Sequence, residues 1–282
     1  SVLFPSRLRA SPHLSTRQYA RIVHRWVTEV GLDKNAYGTH SMRRAKATLT
    51  FGADGPPGEV KAALLALAES LPAKLPGIPA AAVALGGASY RVSVPIASPA
   101  DEGAAITQLQ HRAWYAAQRR GLHLHGAKAN RKAHRAFVAD HVEQIGASLG
   151  LDPESVTAML AGARLLLFAE GEIVQSVYSV PDSVGFIVEG AVLMFVDTAD
   201  GRRLTLGDLG AGGHIGGTAL TRQRMITGVA AVIDTTIIAV SRDAMNAIVQ
   251  RDHRLARRIG EEIEMRRRAA REALAEAAEG VR

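Results

Sequence analysis

The densest run of residues able to hold a ligand through the backbone is Gly210-Ala-Gly-Gly-His-Ile-Gly-Gly-Thr-Ala-Leu220, followed by Arg224. Gly213, Gly216 and Gly217 let successive amides converge, and converging amides make a nest for an anion. Arg224 adds a guanidinium beside it. The run lacks the spacing of a dinucleotide-binding fingerprint, and no strand–helix–strand unit surrounds it. A second set is His123 and His125, two residues apart and therefore on one face of a strand. Two histidines at that spacing can share a metal, but no third Asp, Glu or His stands near, so no metal site is assigned. The chain has no cysteine, which excludes disulfides, thiolate-bound zinc, iron–sulfur clusters and thiol nucleophiles.

The elements that position these residues follow from the patterning of the chain. With 282 residues, 47% hydrophobic and 22% charged, it is long enough and apolar enough for two small domains with real cores. No apolar run reaches the roughly 18 residues of a membrane-spanning helix, which points to a cytoplasmic chain. The Ser-Val-Leu-Phe-Pro start is neither a signal peptide nor a methionine start and reads as that of a fragment. The net charge of +7 is all in one place: residues 1–50 hold nine Lys or Arg against two acids, and the remainder is neutral. A basic segment on a neutral body fits either a phosphate-bearing partner or a solvated Arg-rich helix surface.

Residues 13–32 have Tyr19, Ile22, Val23, Trp26 and Val30 at helical spacing, with Gly31 as the stop. A second basic helix is expected from near His40, and a domain boundary within 47–52. Thr48–Phe51, a helix over Pro57–Leu71, strands at Ala81–Leu85 and Tyr90–Ile96, a helix over Ala104–Arg120 and a strand at Gly121–His125 give the order β-α-β-β-α-β, a ferredoxin-like sandwich. A polar linking helix over Lys128–Leu149 and a short helix capped by Asp152 follow. Residues 164–240 break into short apolar runs punctuated by Gly, Asp and Pro, the pattern of an all-β roll or barrel. Helices over Ser241–Gln250 and Arg254–Ala278 close the chain. The last sets Glu261, Glu262 and Glu264 against Arg266, Arg267 and Arg268, which suits a solvated surface helix, with a dimerisation or lid helix as the alternative. The fold class is thus α+β: an N-terminal helical fragment, a ferredoxin-like α/β sandwich, and a β-roll with closing helices.

Gly171-Glu-Ile-Val174, Asp182-Ser-Val-Gly-Phe-Ile-Val-Glu-Gly190 and Ala191-Val-Leu-Met-Phe-Val196 together resemble the β-roll of cyclic-nucleotide-binding domains. That resemblance implies a ligand cassette at 210–220, in which amides and an Arg neutralise the cyclic phosphate and a Glu bonds the ribose 2′-hydroxyl. Gly216, Ala219 and Leu220 stand where the family has Gly, a small residue and Leu. The Glu position is Gly217 and the Arg position is Met225, with Arg224 one residue early. The cassette is therefore degenerate. It implies weakened binding of cyclic AMP or cyclic GMP, another anionic ligand, or a roll that binds nothing and acts in assembly.

Two further resemblances flank the roll. The element order of 51–126 and the Pro57-x-Glu59-Val-Lys61 helix opening resemble the soluble α/β domain of small-conductance mechanosensitive channels. Members of that family carry a cyclic-nucleotide domain behind it, which implies a homo-oligomer, a heptamer in the family. Leu14-Ser-Thr-Arg-Gln-Tyr-Ala-Arg21 with Gly38-Thr-His-Ser-Met-Arg-Arg44 resembles the late catalytic segment of tyrosine recombinases, whose His-x-x-Arg pair would be His40 and Arg43. In that family the pair binds the scissile phosphate. Here the Leu-Gly-His box and the tyrosine nucleophile are absent from their places, so the segment implies no enzyme, only non-specific DNA contact.

The domains expected are 1–50 (truncated recombinase segment), 51–126 (channel-like α/β domain), 127–162 (helical linker) and 163–282 (roll with closing helices). The function expected is non-enzymatic ligand sensing or assembly, and the alternative is a DNA-binding recombinase remnant. A transcription factor is disfavoured, because fewer than 30 residues follow the start of the closing helix near Arg254.

Overall fold

Residues 16–29, 44–125 and 131–279 are described by the computed structural model. Helix α1 spans Thr16–Glu29 with Val23 buried. His40 and Arg43, the expected phosphate-binding pair, lie outside the described residues. Strand β1 runs Arg44–Thr50, so residues 44–46, expected in a basic helix, are extended instead. The reason is a two-residue period: Ala45, Ala47 and Leu49 are buried while Lys46 and Thr48 face out.

The chain divides into two units, residues 1–110 and 111–282. In the first, helix α2 (Pro57–Glu69) buries Val60, Ala63, Leu64, Leu67 and Ala68. Strands β2 (Ala81–Gly86) and β3 (Ser89–Pro95) form a hairpin around the glycine pair, and the sheet order is β1-β3-β2, all antiparallel. Helix α3 (Glu102–Arg119) begins in this unit, where Ala105 and Leu109 are buried. The strand expected at Gly121–His125 does not form, apart from a single bridge at Leu124. Its first two amides cap α3 instead: Gly121 N–H donates to Gln118 O and Leu122 N–H to Ala117 O, with Gly121 in the left-handed region. Among the described residues the sheet has three strands where the ferredoxin-like order needs four.

In the second unit the linker is two helices rather than one, α4 (Arg131–Asp140) and α5 (Val142–Leu149), parted at His141, whose ring Nδ1 lies 2.7 Å from Phe137 O. Helix α6 (Pro153–Leu160) starts on Asp152, whose carboxylate accepts the Ser155 N–H at 2.9 Å. The roll comprises β4 (Arg164–Phe168), β5 (Ile173–Gln175), β6 (Ser183–Glu189), β7 (Ala191–Asp197), β8 (Arg203–Gly210), β9 (His214–Ile215), β10 (Gly228–Ala231) and β11 (Thr235–Ser241). Its two antiparallel sheets have the orders β5-β10-β7-β8 and β4-β11-β6-β9. Helices α7 (Arg242–Val249) and α8 (His253–Glu279) follow, and Asp252 accepts the Arg254 and Leu255 N–H groups at the start of α8.

Strands β6 and β11 are buried on both faces, which is why they read as unbroken apolar runs rather than alternating ones. One face joins Phe168, Ile187, Val192, Ile215, Val229 and Ile237 in the interior between the sheets. The other joins Phe186, Val188, Ile238 and Val240 to Leu149 of α5, Met159 of α6, Met245 of α7 and Ile259 of α8. The helices are thus a third layer over the roll, and Ala219 of the glycine-rich segment belongs to that same layer. At the β6–β7 corner Gly190 has φ +84°, and a Cβ there would lie 2.5 Å from Asp234 O, so only glycine fits.

Candidate ligand-binding site

The glycine-rich segment is held at both ends. Gly213 N–H donates to Gly210 O, and Ile187 N–H donates to Gly213 O, tying the approach to β6. The Gly213 amide is therefore already engaged. Strand β9 pairs with β6, and Gly216 then takes φ +74° with its Cα against Ser183 O, which a Cβ would approach to 2.5 Å. This left-handed residue turns the chain into a single 3-10 turn, Gly217–Ala219. Ala219 and Leu220 close that turn through their N–H groups onto the carbonyls of Gly216 and Gly217. Ala219 is fully buried in the helical layer with Leu220 packed beside it, so both are packing anchors.

Helix α8 lies on the open side of the turn. A Cβ on Gly217 would stand 3.3 Å from Ile263 Cγ1 and 3.8 Å from Ile259 Cγ2. The place where the family resemblance implies a carboxylate is thus walled by two isoleucines, seated because residue 217 has no side chain. Beside them His214 Nε2 lies 3.0 Å from Glu262 Oε2, and the other Glu262 oxygen accepts from Arg266 one turn further along α8. Burial alone would push the Glu262 carboxyl up, but the His214 hydrogen bond and the charges of His214, Arg266 and Arg258 hold it below the ordinary glutamate range.

Met225, at the other altered position, is buried, its sulfur facing Gln175 Nε2. Its N–H donates to Ser179 O, and its carbonyl accepts from Tyr178 N–H. Arg224 is exposed and shares with Gly217, Thr218, Met225, Ile263, Arg266 and Arg267 the lining of a cavity of about 30 Å³. Of the residues singled out from sequence, Gly217 and Arg224 therefore meet at one cavity. Gly213, Gly216, Ala219 and Leu220 shape the segment around it. Arg266 and Arg267 were read from sequence only as partners for α8's own glutamates, because helical spacing reports contacts along one helix and is silent about contacts across the fold.

A second polar cluster ties the end of α3 to the roll. Arg119 donates twice to the buried Glu172, at 2.9 and 2.8 Å, and its guanidinium stacks 4.4 Å over Phe168. Glu172 also accepts the Ala169 N–H at 2.8 Å. Arg112 donates to Glu170 O, and Tyr115 donates to Asp234, which also accepts the Glu170 N–H. Burial, then the Asp234 contact, pushes the Tyr115 hydroxyl up to about 12. Among the described residues no three His, Cys, Asp or Glu side chains converge on a metal position, and His125 is exposed. No described helix is long and apolar enough to cross a membrane.

Comparison with known proteins identifies one domain within the chain. Residues 165–252 match the model of the cyclic nucleotide-binding domain family, so the chain carries such a domain there. Similar solved structures include the catabolite activator protein of Thermus thermophilus, 25% identical over 46% of this chain and 63% of that one, TM-score 0.40. This chain therefore spans less than two thirds of that protein. A cyclic nucleotide-binding-like protein of Brucella abortus is 26% identical over 39% of this chain and 98% of that one, TM-score 0.35. A cyclic nucleotide-binding domain of Methylobacillus flagellatus is 16% identical over 50% and 85%, TM-score 0.41. No curated protein sequence matches the chain.

The Glu262 contacts set an acid limit on α8 docking. A carboxyl held lower in the folded state stabilises it fully above the unfolded value of about 4.3, and that contribution is lost as pH falls through the lowered folded value. In urea unfolding at a series of pH values, wild type should lose stability more steeply than Glu262→Gln does as pH falls from about 4.3 through the lowered folded value.

Proposed function

We propose that the chain is a non-enzymatic regulatory module that senses an anionic ligand of the cyclic-nucleotide type at the 213–224 segment and reports its occupancy through α8. The observation that carries this reading is the seating of Ile259 and Ile263 of α8 directly on Gly217. A ligand entering the cassette has to displace or re-seat the helix, and a ligand shifts a two-state element by its differential affinity for the two states. The domain match over 165–252 supports the ligand class.

Affinity on this reading is reduced, not abolished. The Gly at 217 and the Met at 225 remove two contacts that the family resemblance implies, and hydrogen bonds to charged groups are worth about 1.5–3 kcal/mol each. Arg224, next in sequence to the altered Met225, stays on the rim with Arg266 and Arg267 of α8. The β-α-β-β-α part of the expected order, which does form between Arg44 and Arg119, and the Pro57-x-Glu59-Val-Lys61 helix opening support placing the module in a mechanosensitive-channel-like protein that acts as a homo-oligomer, with the roll as its regulatory part.

A second reading rests on a different observation, the concentration of the whole +7 net charge in residues 1–50. On that reading the recombinase-like segment holds duplex DNA through phosphates. Binding of a mixed-sequence duplex in a mobility-shift titration should then fall steeply with salt and vanish when residues 1–43 are deleted. Salt-insensitive binding, or binding retained after the deletion, contradicts it.

Calorimetric titration of the full chain with cyclic AMP and cyclic GMP tests the first reading. Saturable binding is expected, weakened about tenfold by Arg224→Ala, as loss of one charge-assisted contact implies. No heat at millimolar nucleotide overturns it.

A further inference from the structure

Around the 30 Å³ cavity the groups supplied by the chain are those of an oxyanion site rather than a nucleoside site. Three arginines line it, Arg224 from the loop before β10 and Arg266 and Arg267 from α8. Two of them have carboxylate partners: Arg266 pairs with Glu262, which His214 also contacts, and Arg267 pairs with the exposed Glu264 at 3.1 Å. No carboxylate pairs with Arg224 among the described residues, so the rim carries excess positive charge. Thr218 lines the same cavity, is 95% buried (5% relative exposure), and its Oγ1 has no hydrogen-bond partner among the described residues. A buried hydroxyl left unpaired is destabilising, a cost removed by an acceptor entering the cavity. The wall that would face a sugar is apolar, because Ile259 and Ile263 cover Gly217.

Size argues the same way. A water needs roughly 10–15 Å³ of such space, so the cavity holds the leading oxygens of a phosphate and falls far short of a purine. We propose that Thr218 Oγ1 and the guanidinium groups of Arg224, Arg266 and Arg267 form a phosphate-type oxyanion site that requires no ribose contact. Arg266 and Arg267 of α8 thereby supply, from the closing helix, the positive charge that Met225 cannot. The proposal rests on the ligand-sensing reading of this same segment and narrows its chemistry. The oxyanion is either free inorganic phosphate or the phosphate of a nucleotide, and α8 has to open for the second.

The test uses the full chain at constant ionic strength, with chloride as the reference anion. Inorganic phosphate is titrated calorimetrically into wild type, Thr218→Val and the double variant R224Q/R267Q. Arg266 is left intact because its burial makes its replacement a folding risk. Saturable phosphate binding is expected, weakened several-fold in Thr218→Val and about tenfold or more in R224Q/R267Q. Phosphate that titrates no better than chloride, or that binds both variants as it binds wild type, overturns the proposal. Cyclic AMP is then titrated with and without saturating phosphate. Competition between them supports the proposal and identifies a nucleotide phosphate as a source. Phosphate binding without any cyclic AMP binding supports it also, with free phosphate as the source, and removes the nucleotide part of the sensing reading. Cyclic AMP binding with phosphate inert and Thr218→Val silent overturns this site while leaving the sensing reading standing.

Discussion

The contact of Ile259 and Ile263 with the bare backbone of Gly217 is the constraint on which the rest of the site depends. A carboxylate side chain at 217 would put a charge against two isoleucines, and burying an unpaired charge is prohibitive. With glycine there, α8 sits down flush. The same turn carries Glu262 to His214, and the next brings Arg266 to the edge of the Thr218 cavity. The substitution that removes one expected ligand contact is therefore also the one that lets the closing helix reach the cassette.

The remainder of the second unit holds that contact in register. Ala219, beside the turn, is locked into the layer formed by α5, α6, α7 and α8 over β6 and β11. At the β4–β5 turn, the Glu172 carboxylate accepts from both terminal nitrogens of Arg119 and from the Ala169 amide, and these three bonds fix the end of α3 against the roll. Breaking one partner of a buried pair of this kind costs about 3–5 kcal/mol, comparable to much of a small domain's stability. The roll is thus gripped by polar contacts at the Glu172 turn and by apolar contacts along α8, and the segment around Gly217 lies under the apolar grip.

How much of this was legible in the sequence depends on the range of the interaction. Corners that need glycine, as at Gly190 and Gly216, and doubly buried strands, as at β6 and β11, leave local marks, and the roll was read from them. The Asp152 cap and the Glu262–Arg266 and Glu264–Arg267 pairs are local too, and they formed as spaced. The strand expected at Gly121–His125 loses its first two residues to the capping of α3, which takes the Gly121 and Leu122 amides. The strand start at Arg44 was hidden because Arg44 and Lys46 are common to basic helices and exposed strand faces. The single linking helix broke at His141, for which the sequence carries no Gly or Pro signal. Arg119 with Glu172 and α8 with Gly217 join residues dozens of positions apart, and no pattern within one element records them. His40 and Arg43 lie outside the described residues, so the structure adds nothing to that pair.

The central claim is that α8 covers the cassette. Hydrogen–deuterium exchange, read at the amides of residues 216–220 in wild type and in Ile263→Asp, tests it most directly. Placing a carboxylate against Gly217 should unseat α8, so protection at 216–220 should fall while that of β6 and β11 stays unchanged. Equal protection of 216–220 in the two proteins, with α8 itself exchanging freely in the variant, would contradict the account.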